Sequence, residues 1–113
     1  MARLPDHVQV LTTLDSQDAA VALAQKVVAA RRAACAQVSG PVTSVYRWQG
    51  DVEQATEWYC VMKTTGAAYE ALAAWIGQHH PYDTPELIAT PVVAGAPDYL
   101  DWVTAETTGA ATD

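Results

Sequence analysis

The side chains best suited to chemistry lie together in residues 79–86, a segment that contains two histidines, a tyrosine and two carboxylates. Imidazole is the commonest protein ligand for borderline transition metals and titrates near neutral pH. The adjacent His79 and His80 therefore make this segment a candidate for metal binding or proton transfer. Pro81 and Pro85 restrict the backbone around them, so the preceding helix cannot continue and the segment is predicted to form a stiff corner.

A structural interpretation of this corner stays open. A histidine near the C-terminal end of a helix interacts favourably with the helix dipole, and proline is common just beyond such ends. Neighbouring side chains also diverge, by about 100° in a helix and to opposite faces in a strand. One chain is therefore not expected to chelate an ion with both imidazoles, and a second copy would have to supply another donor, such as a carboxylate.

The composition favours one globular domain spanning residues 1–113, because half of the chain is hydrophobic and only 17% is charged. Thirteen acidic residues against six basic ones give a net charge of -7, so neither nucleic acid nor an anionic membrane surface is expected as a partner. The N-terminal segment lacks the pattern of a signal peptide, and no apolar run approaches the roughly 20 residues that cross a bilayer. We therefore expect a soluble, cytoplasmic protein.

The spacing of apolar residues predicts the order βαββαβ followed by a short C-terminal helix. The predicted elements are a strand over 8–13, a helix that starts at Leu14-Asp15 with Asp15 as its N-cap, strands over 36–48 and 52–64, a helix over 67–78, a strand over 86–93 and a helix from Pro97. Residues 107–113 are predicted to be a frayed tail. This order indicates an α+β fold, the ferredoxin-like split βαβ sandwich, in which two helices cover one face of an antiparallel sheet.

The two middle strands are predicted to form a long hairpin that turns at Gly50. A turn centred there pairs residues whose numbers sum to about 100. This register places Val42 opposite Trp58 and Val38 opposite Met62. It also separates Cys35 from Cys60 by more than the ~7 Å limit for a disulfide, so both thiols are expected to be free.

The hairpin is expected to be longer than its own domain. Strands of about 13 to 15 residues span ~45 to 50 Å, whereas a domain of this size has a diameter of roughly 35 Å. The overhanging part would expose several apolar side chains: Val45, Tyr46, Trp48, Val52 and, as a further candidate, Trp58. Another chain should cover them, and head-to-tail contacts would close a small ring. The alternative is that a bend at Ser39-Gly40-Pro41 folds the hairpin back over its own core.

Further side chains are predicted to line a cleft between subunits: Cys35, Trp48, Lys63, Tyr82 and Glu86. The indole would form a wall and the lysine would anchor an anion, although an interfacial ion pair between Lys63 and Glu86 with packed aromatic rings is an open alternative. Cys35 is either a nucleophile or soft ligand beside a cation, or an inert packing residue. A catalytic Cys35 would need a histidine as its base and an aspartate or asparagine to orient that histidine. No aspartate or asparagine stands at a recognisable spacing for this role, so no enzymatic activity is expected.

Several motifs at characteristic spacings together resemble the CutA family of divalent-cation tolerance proteins, from about Val8 to Glu106. These motifs are Ala33-Ala34-Cys35, Ser44-Val-Tyr46-Arg-Trp48-Gln-Gly50 followed by Val52-Glu53, His80-Pro-Tyr82 with Pro85-Glu86, and Asp98-Tyr-Leu-Asp-Trp102. Any one of them alone would be a weak signal. Their order along nearly the whole chain makes the resemblance specific.

The resemblance implies a ferredoxin-like subunit, a homotrimer and a role in tolerance of copper and other divalent cations, with copper bound but not obligatory. The copper ligands proposed in family members would correspond here to His79 and His80. Some members also carry a cysteine on the first strand, and this chain has Leu11 at that position, so the thiolate is absent. The trimeric PII signalling proteins share the subunit fold and bind small anionic ligands between subunits, which provides a second functional hypothesis.

Overall fold

The computed structural model of the protein describes residues 4–108. Its elements are β1 (His7–Leu14), α1 (Gln17–Ala29), β2 (Cys35–Trp48), β3 (Asp51–Thr65), α2 (Tyr69–His79), β4 (Ile88–Pro91) and α3 (Pro97–Thr108). The strands form one sheet in the order β2-β3-β1-β4, and every neighbouring pair is antiparallel. The predicted α+β arrangement is confirmed, although β4 has only four residues where a strand over 86–93 was predicted.

The core lies between the sheet and the two helices α1 and α2. Alternate residues of β1 and β3 point into it, and the side chains of Val10, Cys60 and Met62 are fully buried. Each helix contributes an apolar stripe, and the side chains of Ala20, Leu23, Val27, Leu72 and Ile76 are all buried. Burial of each large aliphatic side chain contributes roughly 1.5–3 kcal/mol, so this cluster holds the globular part together.

Helix α1 is capped by Ser16, and the prediction of Asp15 as N-cap was wrong. The Ser16 backbone is extended (φ -151°, ψ 155°), and its hydroxyl accepts a hydrogen bond from the backbone N–H of Ala19 at 3.0 Å. Ser16 therefore satisfies one of the free donors of the first turn, as an N-cap must. Asp15 is left exposed at the end of β1.

Helix α3 is longer and better anchored than the predicted short helix with a tail that frays from Thr107. The imidazole of His7 lies 3.0 Å from the carbonyl oxygen of Leu100, and Arg31 donates to the carbonyl oxygen of Ala105 at 2.9 Å. Thr107 is buried and donates its hydroxyl to a backbone carbonyl one turn earlier. The rest of the predicted tail, residues 109–113, lies outside the described residues.

The β2–β3 hairpin contains a bulge between Ser39 and Val42. Its register differs from the prediction by one residue between the bulge and the turn, and by two residues on the other side of the bulge. Val42 pairs with Glu57 and Val38 with Cys60, where Trp58 and Met62 were predicted. The turn contains two residues with positive φ, Gln49 and Gly50, and is not centred on Gly50. The interruption predicted at Ser39-Gly40-Pro41 shifts the pairing by one further residue, between Ser39 and Val42. Both cysteines are free, as predicted.

Gly40 and Trp58 explain the geometry of the bulge. Gly40 has φ +151°, and a Cβ atom there would lie 2.6 Å from Cδ1 of Trp58. Only glycine fits without displacing the indole. Trp58 packs against the core cluster, so the suggestion that it belongs to the exposed part of the hairpin was wrong.

The hairpin projects beyond the globular part, as predicted. The longest dimension of the molecule is 44 Å, against 31 and 26 Å in the other two directions. Val45, Trp48 and Val52 are 63, 56 and 66% exposed, so the hairpin is not folded back over the core. Among residues 4–108, no helix has both the length and the apolar character needed to cross a membrane.

Candidate functional site

The histidine corner forms where α2 ends. His79 is the last helical residue, and His80 has an extended backbone (φ -81°, ψ 138°) while its N–H still donates to the carbonyl oxygen of Ile76 at 2.8 Å. The following Pro81 disfavours the α region for His80 and removes a backbone donor, which is why the helix ends here. The two imidazoles consequently point into different surroundings.

His80 is buried and both of its ring nitrogens are engaged. Nε2 donates to the carbonyl oxygen of Thr13 at 2.8 Å, and Nδ1 accepts from the backbone N–H of Tyr82 at 3.1 Å. One nitrogen is thus a donor and the other an acceptor, which defines a neutral tautomer with the proton on Nε2. Burial lowers the pKa of His80, and the hydrogen bond to Thr13 and the charges of Asp15 and Glu57 only partly oppose this effect. His80 links the corner to β1.

His79 is exposed and keeps one nitrogen available. Its ring stacks on the indole of Trp75, with centroids 3.9 Å apart and planes at 13°. Its Nδ1 donates to the carbonyl oxygen of Trp75 at 2.8 Å, so the lone pair of the neutral ring lies on Nε2. No three His, Cys, Asp or Glu side chains within residues 4–108 come close enough to hold a metal ion together. The donor atoms of this part of a single chain therefore do not form a complete metal site.

Leu11 occupies the position where some family members were expected to have a cysteine. It lies in β1 opposite Val61 of β3 and Ile88 of β4. Its side chain offers no donor atom, so position 11 adds no ligand to the imidazole of His79.

The side chain of Tyr82 connects the histidine corner with strand β3 of the hairpin. Its hydroxyl donates to Oε2 of Glu57 at 2.8 Å, and its ring meets that of His80 edge-on with centroids 4.8 Å apart. Burial raises the pKa of Tyr82, and the hydrogen bond to the Glu57 carboxylate raises it further. The phenol therefore remains a neutral donor that positions Glu57.

A cleft of about 680 Å³ lies between the corner and the projecting hairpin. We call it the acid-aromatic cleft, because its lining includes four aromatic rings and four carboxylates. The rings are those of Tyr46, Trp48, Tyr59 and Tyr82, and the carboxylates are those of Asp15, Glu57, Asp83 and Glu86. Three residues predicted to share a cleft, Trp48, Tyr82 and Glu86, thus lie together in a single chain.

The other two residues of the predicted cleft, Cys35 and Lys63, face each other across β2 and β3. The Cys35 sulfur lies 3.6 Å from the hydroxyl of Tyr99, and Lys63 donates to the side-chain oxygen of Gln37 at 2.7 Å. Lys63 lines a separate cavity of about 180 Å³ beneath α3. The Lys63–Glu86 ion pair was predicted between subunits and stays a prediction. Within residues 4–108 the partner of Cys35 is a phenol and not a histidine that could serve as a base.

The sequence interpretation missed the roles of Glu57, Asp15 and Tyr99. Glu57 is a charged residue directly before an apolar run of β3, which is an available signal for a side chain with a specific partner. Asp15 was assigned to a helix cap, and Tyr99 was noted only as part of a motif. Glu57 and Tyr99 acquire their partners through contacts between distant parts of the chain, and Asp15 acts on His80 and Tyr82 through its charge. Residue spacing reveals neither.

Comparison with known proteins shows that the sequence and the fold of this chain are similar to those of a known family. A family model described as CutA1 divalent ion tolerance protein matches residues 8–106. Divalent-cation tolerance protein CutA of Citrobacter koseri is 43% identical over 102 residues, which cover 90% of this chain and 89% of that protein.

Solved structures agree with this similarity. The divalent cation tolerance protein Cut A1 from Thermus thermophilus is 38% identical with a TM-score of 0.86, over 89% of this chain and 98% of that one. The periplasmic divalent cation tolerance protein CutA from Archaeoglobus fulgidus is 28% identical with a TM-score of 0.85, again over 89% and 98% of the two chains. The likeness therefore extends over nearly the whole subunit.

Proposed function

The chain belongs to the CutA1 family of divalent ion tolerance proteins, and from this premise we propose that it is a homotrimer that binds Cu(II) or a related divalent ion through His79. The observation that carries the proposal is the hydrogen bond from Nδ1 of His79 to the Trp75 carbonyl, which leaves Nε2 as a donor on an exposed ring. Histidines that bind metals commonly donate their other N–H to a carbonyl in this way. Among divalent first-row ions, Cu(II) forms the strongest complexes with such donors.

His79 and His80 are assigned different roles in this proposal. Ligation by His80 would require loss of its hydrogen bond with Thr13 or Tyr82, whereas ligation by His79 breaks no contact of Nε2 within the described residues. A single imidazole binds an ion weakly. Further donors would come from a neighbouring copy of the chain, which makes assembly a requirement for tight binding.

The projecting hairpin supports the trimer. Strand β2 lies at the edge of the sheet, and its outer half carries exposed apolar side chains, as does the facing strand. An unpaired edge and an apolar surface of this kind favour contact with another copy, and a head-to-tail contact closes into a ring. Size-exclusion chromatography with light scattering should give the mass of about three chains of 12.1 kDa. The mass of a single chain at micromolar concentration would contradict the trimer.

Calorimetric titration with CuCl2 tests the metal proposal. We expect His79→Ala to weaken Cu(II) binding at least about tenfold, and His80→Gln to change it much less. His7→Gln is the matched control, because that histidine contacts α3 away from the corner. Unchanged Cu(II) affinity in a His79→Ala, His80→Ala double variant would exclude the corner as the binding site.

A second candidate function is a PII-like module that binds a small ligand and signals its presence. The specific observation in its favour is the acid-aromatic cleft, which contains three of the five side chains predicted for such a site. A thermal-shift screen of small metabolites tests it, since a ligand that binds only the folded protein raises the melting temperature. No saturable shift with any ligand would contradict this function.

We also infer that the protein is cytoplasmic and is not an enzyme. Within the described residues the side chain in contact with the Cys35 sulfur is the phenol of Tyr99 and not an imidazole, which supports the second inference. Because one relative is named as periplasmic, cell fractionation is the direct test of compartment. Recovery of the protein in a periplasmic extract would overturn the first inference.

A further inference from the structure

We propose that Trp75 is a positioning residue for His79, because its indole holds the imidazole in the orientation and tautomer that present Nε2 to a divalent ion. This inference rests on the proposed function, the binding of Cu(II) or a related ion through His79. It adds the residue that prepares the ligand. Both residues belong to α2, so the pair is separate from the hairpin that we assign to contact with another copy.

The spacing of the two residues places them on one face of the helix. Trp75 and His79 are four positions apart in α2, and side chains at this spacing are neighbours. A helix that chelates an ion with two of its own side chains uses this spacing for the second ligand. Here the position carries an indole, whose nitrogen only donates hydrogen bonds. The helix therefore supplies one ligand and one ring that supports it.

The stack fixes the plane of the imidazole. The ring centroids of Trp75 and His79 are 3.9 Å apart and the two planes differ by 13°, so one face of the imidazole is covered. An ion that binds an imidazole nitrogen lies along the lone pair, in the plane of the ring. Covering the face therefore restrains the ring without blocking the approach of an ion to Nε2.

The backbone of Trp75 selects the tautomer of the same ring. Nδ1 of His79 lies 2.8 Å from the Trp75 carbonyl oxygen, which can only accept a hydrogen bond, so Nδ1 carries the proton. The indole keeps the ring within reach of this carbonyl. Loss of the indole should therefore free both the orientation of the ring and the position of its proton.

The supporting ring is itself held in place. Trp75 is partly buried and packs against the core cluster, whereas His79 is exposed. An unrestrained histidine on a helix samples about four arrangements, from two common χ1 rotamers and two ring orientations. If one arrangement presents Nε2 correctly, the apparent dissociation constant rises in inverse proportion to its population. Restraint by Trp75 thus strengthens binding without adding a ligand.

NMR of the metal-free, full-length protein tests the positioning directly. Long-range ¹H–¹⁵N spectra recorded above neutral pH should place the His79 proton on Nδ1 in the wild type and in Trp75→Phe, which keeps a ring for stacking. We expect a mixture of both tautomers in Trp75→Leu. Tyr69→Leu is the matched control and should leave the tautomer unchanged. Tyr69 is another partly buried ring of α2 that packs against the core, about three turns away from His79.

Calorimetric titration with CuCl2 provides the second readout. We expect Trp75→Leu to weaken Cu(II) binding about 3- to 10-fold, and Trp75→Phe or Tyr69→Leu to weaken it less than about twofold. A stack that only stabilised the helix would give a different result. Trp75→Leu would then lower the melting temperature and leave both the tautomer and the Cu(II) affinity unchanged, which would contradict the proposal.

Three further results would overturn the positioning role. They are a His79 proton on Nε2 in the wild type, unchanged Cu(II) affinity in Trp75→Leu when His79→Ala weakens binding, and equal losses in Trp75→Phe and Trp75→Leu. The first needs no variant, so the proposal stays testable if Trp75→Leu does not fold. If His79→Ala itself leaves the Cu(II) affinity unchanged, the proposed metal site fails, and the metal-free NMR measurement alone decides the role of Trp75.

Discussion

The two halves of the β2–β3 hairpin have similar sequence patterns and opposite surroundings. On the globular side of the bulge, Cys60 and Met62 are completely buried under the helices, whereas on the other side Val45 and Val52 are more than 60% exposed. Both halves mix apolar and polar residues along the strands. Such a pattern shows which side chains are suited to burial. It does not show whether the same chain or another chain covers them. The inner half is covered by its own chain, and we propose that the outer half is covered by another.

The largest expected effect is a loss of stability when the inner half of the hairpin loses a core side chain. Met62→Ala removes a fully buried side chain from the core, and we expect a loss of about 2–5 kcal/mol in the free energy of unfolding. Val93→Ala, at a side chain that is 92% exposed, is the matched control and should change it by less than about 0.5 kcal/mol. Urea denaturation at one fixed protein concentration measures both. Similar losses in the two variants would contradict the assignment of the core.

The boundary between the halves should be nearly as sensitive. Gly40→Ala places a methyl group against Trp58 at a positive φ, and we expect a loss of about 1–3 kcal/mol in the free energy of unfolding. Gly77→Ala in α2 meets no neighbouring atom within 4 Å and should stabilise the protein by about 0.5–1 kcal/mol. The two substitutions are chemically identical, so effects of the same sign in thermal denaturation would show that the bulge is not constrained as described.

Assembly should respond to the outer half alone. We expect Trp48→Ser to weaken self-association about tenfold, or roughly 1.4 kcal/mol, while leaving the fold of the subunit intact. Val21→Ser, a partly exposed apolar position on α1, should leave self-association unchanged. Light scattering over a range of protein concentrations, together with circular dichroism, makes the measurement. Identical association of both variants and the wild type would remove the outer half as an interface.

The smallest expected effect concerns the corner that joins the inner half to the cleft. Burial lowers the pKa of native His80 below the unfolded value of about 6.5, so the unfolded chain binds a proton more readily. The stability associated with neutral His80 is therefore present above about pH 6.5 and is lost as the pH falls through the lower native pKa. His80→Gln should show a shallower decline in melting temperature between pH 7 and pH 5. Parallel declines in the two proteins would show that His80 does not titrate in this way.

Much of the subunit fold was predictable from residue order, and the errors have physical causes. The apolar periodicity located the helices and strands to within about two residues, apart from the start of α1, which was predicted at Leu14-Asp15 and lies at Gln17, the overestimated β4 and the underestimated α3. The register of the hairpin was wrong because a two-residue turn and one extra bulge residue each displace the pairing by one position. The cap of α1 was misplaced because Asp15 and Ser16 are both good capping residues, and only backbone geometry distinguishes them.

The candidate site was less predictable. Adjacent imidazoles were identified from their position at a helix end, but the division into an exposed His79 and a buried His80 depends on the carbonyl of Thr13 in another strand. Likewise, Trp48, Tyr82 and Glu86 share a cleft, and Lys63 does not. The charges and hydrogen-bond partners around a side chain come from residues that are close in space. Most of these residues are far away along the chain.

The sequence by itself determined the family, the order of the elements, the free cysteines and the overlong hairpin, because these depend on local periodicity, turn residues and strand length. Tertiary structure decided which imidazole keeps a free nitrogen, which carboxylate receives the Tyr82 hydroxyl and which charges face the cleft. Those properties arise only when β1, β3 and the corner pack together, since a distance of a few ångströms across the fold corresponds to separations of 25 to 67 residues along the chain.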